Sequence, residues 1–141
     1  MTQERAVERL HDAFRAWVVG GTGRGAVRPE PEVAVQGGRH HRPSLAWYPT
    51  ADPGTGVPDL VVEVPHRSTH HFEVLHKQHE YAVAGVRELW VVDVANGPQA
   101  LVFRATGSAW MSAAEDLDAD GVLTSPLLPG LRIALADLRS R

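Results

Sequence analysis

The chain has 141 residues, of which 43% are hydrophobic and 22% are charged, and its formal net charge at pH 7 is −3. This composition predicts one domain, residues 1–141, and it excludes nucleic-acid binding through overall basic attraction, so that any such binding needs a local patch. The absence of cysteine excludes disulfides and thiolate metal sites, and no apolar run resembles a signal peptide or a membrane span, so we expect a cytoplasmic protein without a membrane segment.

The first part of the chain predicts one helix followed by short strands. Apolar residues recur every three or four positions over about residues 3–18, which predicts an amphipathic helix that ends at the glycine-rich run 20–23. The β-like residues at 26–35 are interrupted by prolines, which is typical of irregular or edge strands. A further short strand is predicted at 45–48.

The middle of the chain predicts a strand–helix–strand unit over about residues 59–94. The aliphatic run 60–64 predicts a buried strand, and a polar helix over about 70–84 follows, ended by Gly85. The apolar run 88–94 predicts a second strand. Because a helix connects them, we expect the two strands to be parallel neighbours in one sheet.

The C-terminal part, residues 99–141, is predicted to add strands to this unit. An antiparallel partner at 99–104 follows the Asn96-Gly97 turn, and one more strand is expected at 108–111. We expect an acidic loop after it, then a short strand near 131–133 and a final helical turn. These elements predict an α/β fold with a mixed sheet flanked by helices.

One residue of the central strand does not suit a hydrophobic core. Glu63 lies between Val62 and Val64, where a carboxylate costs several kcal/mol unless it is paired or bound to a cation. Taken alone, Glu63 is either a partly exposed member of an ion pair or a ligand for a cation.

Several pieces of the sequence, taken in order, carry a family resemblance. They are Pro58-Asp59 with the strand 60–64, Ser68-Thr69, Lys77 with Tyr81, Ala84-Gly85-Val86 with the strand 88–93, and the segment 122–131. They resemble the signature of the putative restriction endonuclease family, which belongs to the PD-(D/E)XK nuclease superfamily. The resemblance implies a restriction-endonuclease-like fold and a DNA endonuclease that uses Mg²⁺ or Mn²⁺. It also implies a homodimer.

The same resemblance implies roles for individual residues. Glu63 corresponds to a catalytic, metal-binding acid, and Lys77 corresponds to the family's lysine, which lies on the helix after the strand. Ser44 stands where the family has a metal-binding aspartate. Asp59 does not replace that aspartate, since it lies about 13 Å from Glu63 along the strand. Glu32 or a histidine therefore remains a candidate for the second ligand.

Histidines and arginines form a second notable group. His66, His70 and His71 together with Arg42 and Arg67 are candidate nucleic-acid contacts, and Arg39, His40 and His41 extend the same predicted basic patch. A separate pair, His76 and His79, is three residues apart on the predicted helix and shares a face of it. Imidazoles favour transition metals such as Zn²⁺ over Mg²⁺.

Three functions from different classes follow from these observations. The first is a Mg²⁺-dependent DNA endonuclease with Glu63 as metal ligand and Lys77 stabilising the transition state. The second is a catalytically inactive nuclease-fold protein that binds nucleic acid or a protein partner, which Ser44 favours. The third is a histidine-based binder of a transition metal.

Overall fold

The structure is a computed structural model that describes residues 3–52, 54, 56–66, 71–95 and 97–138. Two helices flank the sheet. Helix α1 spans Gln3–Val19 and buries Ala6, Leu10 and Phe14, which recur every four residues as the sequence pattern predicts. Helix α2 spans His71–Ala84. It ends at Gly85, whose φ of 100° belongs to the left-handed region that glycine adopts without strain.

Six strands form the main sheet, in the spatial order β1-β4-β5-β6-β7-β8, and two short ribbons, β2 with β3 and β9 with β10, lie outside it. The strands are β1 (Ala26–Pro29), β2 (Val33–Ala34), β3 (His40–His41), β4 (Leu45–Tyr48), β5 (Leu60–Glu63), β6 (Glu88–Asp93), β7 (Gln99–Ala105), β8 (Met111–Leu117), β9 (Val122–Leu123) and β10 (Ile133–Ala134). This α/β architecture with a mixed sheet confirms the predicted fold class.

The predicted strand–helix–strand unit is present as β5–α2–β6. Strands β5 and β6 are parallel, with Leu60 opposite Glu88 and Glu63 opposite Val91. The other neighbouring pairs of the main sheet are antiparallel, including β6 with β7, as expected. Both parallel strands therefore end at the same edge of the sheet, where α2 begins.

The two faces of the sheet have separate hydrophobic clusters. Helix α1 and the C-terminal segment cover one face, where Phe14 packs against Trp90 with ring centroids 5.4 Å apart. Helix α2 covers the other face, where Val74 and Tyr81 pack against β4, β5 and β6. The short parallel strand β5 is buried from both sides, which explains its nearly continuous aliphatic sequence.

A buried glutamate fastens the C-terminal segment to the face covered by α1. Glu88 Oε1 accepts hydrogen bonds from Ser125 Oγ at 2.9 Å and from Arg104 Nε at 3.3 Å, and Oε2 accepts one from Trp90 Nε1 at 2.6 Å. The second guanidinium edge of Arg104 reaches Glu115 Oε2 at 3.1 Å. This network joins β6, β7 and β8 to the segment that follows β9.

The prediction for the last third of the chain was wrong in one respect. Residues 108–110 of the strand expected at 108–111 belong to the connection between β7 and β8, and only Met111 lies in a strand. The acidic stretch expected to be a loop contributes to that strand, β8, Met111–Leu117. A strand is compatible with these charges because β8 is an edge strand with mostly exposed residues, and its Glu115 pairs with Arg104. Within the residues that the structure describes, no helix is long and apolar enough to cross a membrane.

Candidate active site

Glu63 is the last residue of β5 and lies on the face of the sheet that α2 covers. Its position follows from strand alternation, because Leu60 and Val62 enter the core under α1 while Val61 enters the core under α2. The Glu63 side chain is 13% exposed. Its Oε2 accepts a hydrogen bond from the Tyr81 hydroxyl at 2.7 Å, and its Oε1 lies 3.3 Å from Lys77 Nζ.

Helix α2 supplies both of these partners. Lys77 and Tyr81 are four residues apart and therefore point to the same side of the helix, towards the end of β5. Tyr81 is fully buried, whereas the Lys77 side chain is 40% exposed. The carboxylate of Glu63 thus has a buried neutral donor on one oxygen and a half-exposed cation on the other.

A small hollow opens beside this pair. The Glu63 hollow has a volume of about 90 Å³ and is lined by Glu63, Pro65, Glu73, Val74, Lys77 and Val91. A larger hollow of about 270 Å³ shares Val74 and Val91 with it and continues along the sheet to Asp93 and Asp116. A solvent-accessible trough thus runs along the edge where β5 and β6 end, with carboxylates on its walls.

Ser44, the residue before β4, lies opposite Glu63. Leu45 pairs with Val62 in the antiparallel register of β4 and β5, so Ser44 is opposite Glu63. The Ser44 hydroxyl accepts a hydrogen bond from Val64 N at 3.0 Å. At this position the chain therefore offers a neutral oxygen that is already hydrogen-bonded, in place of a carboxylate.

Tyr81 has a strongly perturbed acidity. Burial raises the pKa of the Tyr81 hydroxyl far above its ordinary value of 10.0, and the charge of Glu63, the hydrogen bond to Glu63 and the charge of Glu80 raise that pKa further. The phenol therefore stays protonated and remains a hydrogen-bond donor to Glu63.

A second buried carboxylate, Glu80, lies one residue before Tyr81 and contacts one arginine and two histidines. Its side chain is 5% exposed, and it contacts Arg39, His41 Nε2 at 3.0 Å and His76 Nε2 at 3.0 Å. The His41 ring also packs against the Tyr81 ring, with centroids 5.2 Å apart. The Glu80 cluster thus fixes the β2–β3 ribbon to α2 beside the candidate site.

Two of the five residues predicted to contact nucleic acid have described side chains, Arg42 and His66. Arg42 has a 65% exposed side chain and pairs with Glu32 Oε1 at 3.3 Å, and His66 is exposed. Arg67 and His70 lie outside the described residues, and so does the side chain of His71. In the predicted basic patch, Arg39 and His41 are paired with Glu80. The negative charge of Glu80 therefore offsets part of the positive charge of the patch.

The structure also locates the other candidate metal ligands, Glu32, His76 and His79. Glu32 pairs with Arg42 and does not line the Glu63 hollow. His76 contacts Glu80, whereas His79 stacks on Trp110 with ring centroids 4.1 Å apart, so the two side chains have different partners. Over the parts of the chain with assigned positions, no group of three or more histidine, aspartate or glutamate side chains is arranged to hold a metal ion.

Sequence reasoning missed two residues of this site. Glu73 lines the Glu63 hollow, and Tyr81 entered only as part of the family motif. Both are available from helical spacing, because Glu73, Lys77 and Tyr81 recur every four residues and thus share one side of α2. The signal is one periodic row that begins with an acid, continues with a base and ends with a tyrosine.

Comparison with solved structures defines the class of fold. A crystal structure titled as a putative nuclease belonging to DUF820 from Anabaena variabilis superposes with a TM-score of 0.77 at 14% sequence identity, covering 96% of this chain and 79% of the other. The chain therefore has the fold of that protein. A search of curated proteins finds no significant match.

The family follows from the sequence profile. The profile described as Uma2, putative restriction endonuclease, matches residues 2–136. The protein belongs to this family, as the resemblance predicted.

Proposed function

We propose that this protein is a metal-dependent endonuclease that hydrolyses phosphodiester bonds in DNA. The observation that carries the proposal is the Glu63 carboxylate, held by Tyr81 and Lys77 beside an open hollow at the edge where β5 and β6 end. Family membership supports a nuclease-like activity, and the proposal extends it to the metal, the substrate and the residues.

The donor chemistry of the hollow fits Mg²⁺ or Mn²⁺. Glu63 and Glu73 both line it, and among the described residues no histidine does. Magnesium sites in proteins commonly use one or two carboxylates and complete their octahedron with waters and substrate phosphates. Glu63 and Glu73 would hold the ion. When bound, such an ion polarises the phosphate and lowers the pKa of a bound water.

The protein's own residues would have separate tasks. Glu63 would orient the ion, and Tyr81 would hold the carboxylate of Glu63. The ammonium group of Lys77 is within 3.3 Å of Glu63 and 40% exposed, so it can turn towards the scissile phosphate and stabilise the anionic transition state. Arg42 and His66 are exposed cation-forming side chains that could contact the DNA backbone.

We also propose that the protein acts in the cytoplasm as a homodimer. The absence of cysteine agrees with a reducing compartment, and the homodimer is an expectation from the family resemblance. Sedimentation of the purified chain over a range of concentrations tests the oligomeric state, and a monomer at every concentration contradicts it.

A catalytically inactive nuclease-fold protein is the second candidate. Its specific support is Ser44, which lies opposite Glu63 and uses its hydroxyl to accept a hydrogen bond from Val64 N. An aspartate here would add a second charged ligand from the neighbouring strand. In this second case the protein binds nucleic acid or a protein partner without cutting.

Cleavage of supercoiled plasmid and of single-stranded DNA with Mg²⁺ or Mn²⁺ separates the two candidates. The variants are Glu63→Ala and Ser44→Asp, with Glu32→Ala as the matched control because Glu32 is an exposed glutamate outside the hollow. We expect metal-dependent cutting by wild type and by Glu32→Ala, and none by Glu63→Ala. Cutting by Ser44→Asp alone would favour the inactive candidate with a single lost ligand, and no cutting by any variant would contradict the endonuclease.

A further inference from the structure

We propose that Tyr81 is a positioning residue that sets the orientation of the Glu63 carboxylate towards the metal ion; this inference rests on the proposed function. The Tyr81 hydroxyl donates to Glu63 Oε2 at 2.7 Å. Tyr81 itself is 0% exposed, so it cannot reach a DNA substrate and can act only through Glu63.

The carboxylate needs such a partner because its own torsion does not fix it. The last side-chain torsion of glutamate is broad, so the plane of a free carboxylate rotates over a wide range. Lys77 is a weak constraint, since its side chain is 40% exposed and its ammonium group can swing on a flexible stem. The buried phenol is therefore the group that holds Oε2 in place.

The phenol is in turn held by its surroundings. The Tyr81 ring packs against the His41 ring at 5.2 Å, and His41 is anchored to the buried Glu80 at 3.0 Å. Tyr81 also packs in the hydrophobic cluster between α2 and the sheet.

A donor of this kind controls metal affinity. A carboxylate oxygen has two lone pairs, and the hydrogen bond to Oε2 restricts the rotation of both oxygens of Glu63, which lines the hollow. Loss of a group that orients a metal ligand commonly costs 10–100-fold in affinity or activity. We therefore expect Tyr81→Phe to weaken Mn²⁺ binding by about ten-fold or more.

The experiment measures binding and cleavage separately. Free Mn²⁺ is titrated by electron paramagnetic resonance against the full-length wild type, Tyr81→Phe, Glu63→Ala and the double variant. Tyr48→Phe is the matched control, because Tyr48 is 5% exposed, lies in the same cluster and forms no hydrogen bond with Glu63. The Mg²⁺ dependence of DNA cleavage is measured on the same proteins.

We expect Tyr81→Phe to bind Mn²⁺ about ten-fold more weakly, Tyr48→Phe to match wild type, and Tyr81→Phe to have no additional effect once Glu63 is alanine. Cleavage by Tyr81→Phe should recover at high Mg²⁺, which a misfolded protein would not do. Unchanged Mn²⁺ affinity in a folded Tyr81→Phe protein would overturn the inference while the endonuclease stands. Wild type that binds no Mn²⁺ and cuts no DNA would overturn the proposed function and this inference with it.

Discussion

Two glutamates on adjacent parallel strands of this sheet have similar partners and different surroundings. Glu63 ends β5 and Glu88 begins β6, and each has an aromatic donor on Oε2 and a cationic side chain 3.3 Å from Oε1. Glu88 gains a third donor, Ser125, and its side chain is 2% exposed. Glu63 is 13% exposed and borders a hollow.

The difference separates a structural carboxylate from a functional candidate. An ionised carboxylate has about four acceptor positions. At Glu88 three of these positions accept hydrogen bonds from protein donors, and water has little access. The Glu88 carboxylate therefore serves to hold the C-terminal segment in place. Among the described residues Glu63 has two partners, which leaves acceptor positions on a carboxylate that lines the hollow, and a metal ligand requires such positions.

The largest effect on stability is expected at Glu88. Replacing Glu88 with alanine removes the acceptor of Trp90 Nε1, Ser125 Oγ and Arg104 Nε. Arg104 keeps its contact with Glu115, but removing one partner of a buried ion pair costs roughly 3–5 kcal/mol. Arg104 is 31% exposed, which puts the expected loss near the lower end. Urea unfolding of Glu88→Ala measures it, and a loss below that of Glu63→Ala would break the comparison.

Glu63→Ala is expected to lower the free energy of unfolding by less than Glu88→Ala does, and to abolish DNA cleavage. Glu63→Ala removes the acceptor of the Tyr81 hydroxyl, at a cost of roughly 1–2 kcal/mol, because the neighbouring hollow lets water reach the freed donor. DNA cleavage should disappear. Urea unfolding and the plasmid assay on one preparation test both halves of this statement, and cleavage at the wild-type rate would contradict the assignment of Glu63.

Alkaline pH should weaken the fold through Tyr81. Its pKa is raised in the folded protein, whereas the unfolded chain ionises near 10.0, so above that pH only the unfolded state releases the proton. The free energy of unfolding should therefore fall as pH rises above about 10, by up to roughly 1.4 kcal/mol per pH unit for this group.

Urea unfolding of wild type and Tyr81→Phe at several pH values from 8 to 11 measures this slope. Tyr81→Phe should show a shallower decline, and Tyr48 accounts for part of what remains, because burial raises its pKa as well. Equal slopes in the two proteins would show that the Tyr81 hydroxyl is not held in the buried pair with Glu63.

The smallest effect is expected at a third glutamate, which provides an exposed reference. Glu32 pairs with Arg42 at 3.3 Å, and both side chains are more than 60% exposed. Exposed ion pairs contribute 0–1 kcal/mol, so Arg42→Ala should shift the free energy of unfolding by less than about 1 kcal/mol. A loss of stability comparable with that of Glu88→Ala would mean that burial does not determine how much each of these glutamates contributes to the free energy of unfolding.

The sequence determined the elements that have strong periodic patterns. The amphipathic spacing of Ala6, Leu10 and Phe14 predicts α1, and the apolar runs at 60–64 and 88–94 predict the parallel pair. These elements are predictable because the burial of a helix or strand produces a periodic pattern in consecutive residues. The acid in the central strand and the lysine on the next helix were also predicted, and the structure places them 3.3 Å apart.

Tertiary structure decided the features that depend on partners distant in sequence. The stretch 111–117 has too many charges to predict a strand by itself, and it becomes one because β7 offers a free edge and Arg104 pairs with Glu115. Likewise, the local sequence marks Glu63 as unusual between two valines, but it does not show that Glu88 is the more buried of the two glutamates. One faces a hollow and the other is sealed by Ser125, a residue 37 positions away, because only the packed sheet brings that donor to it.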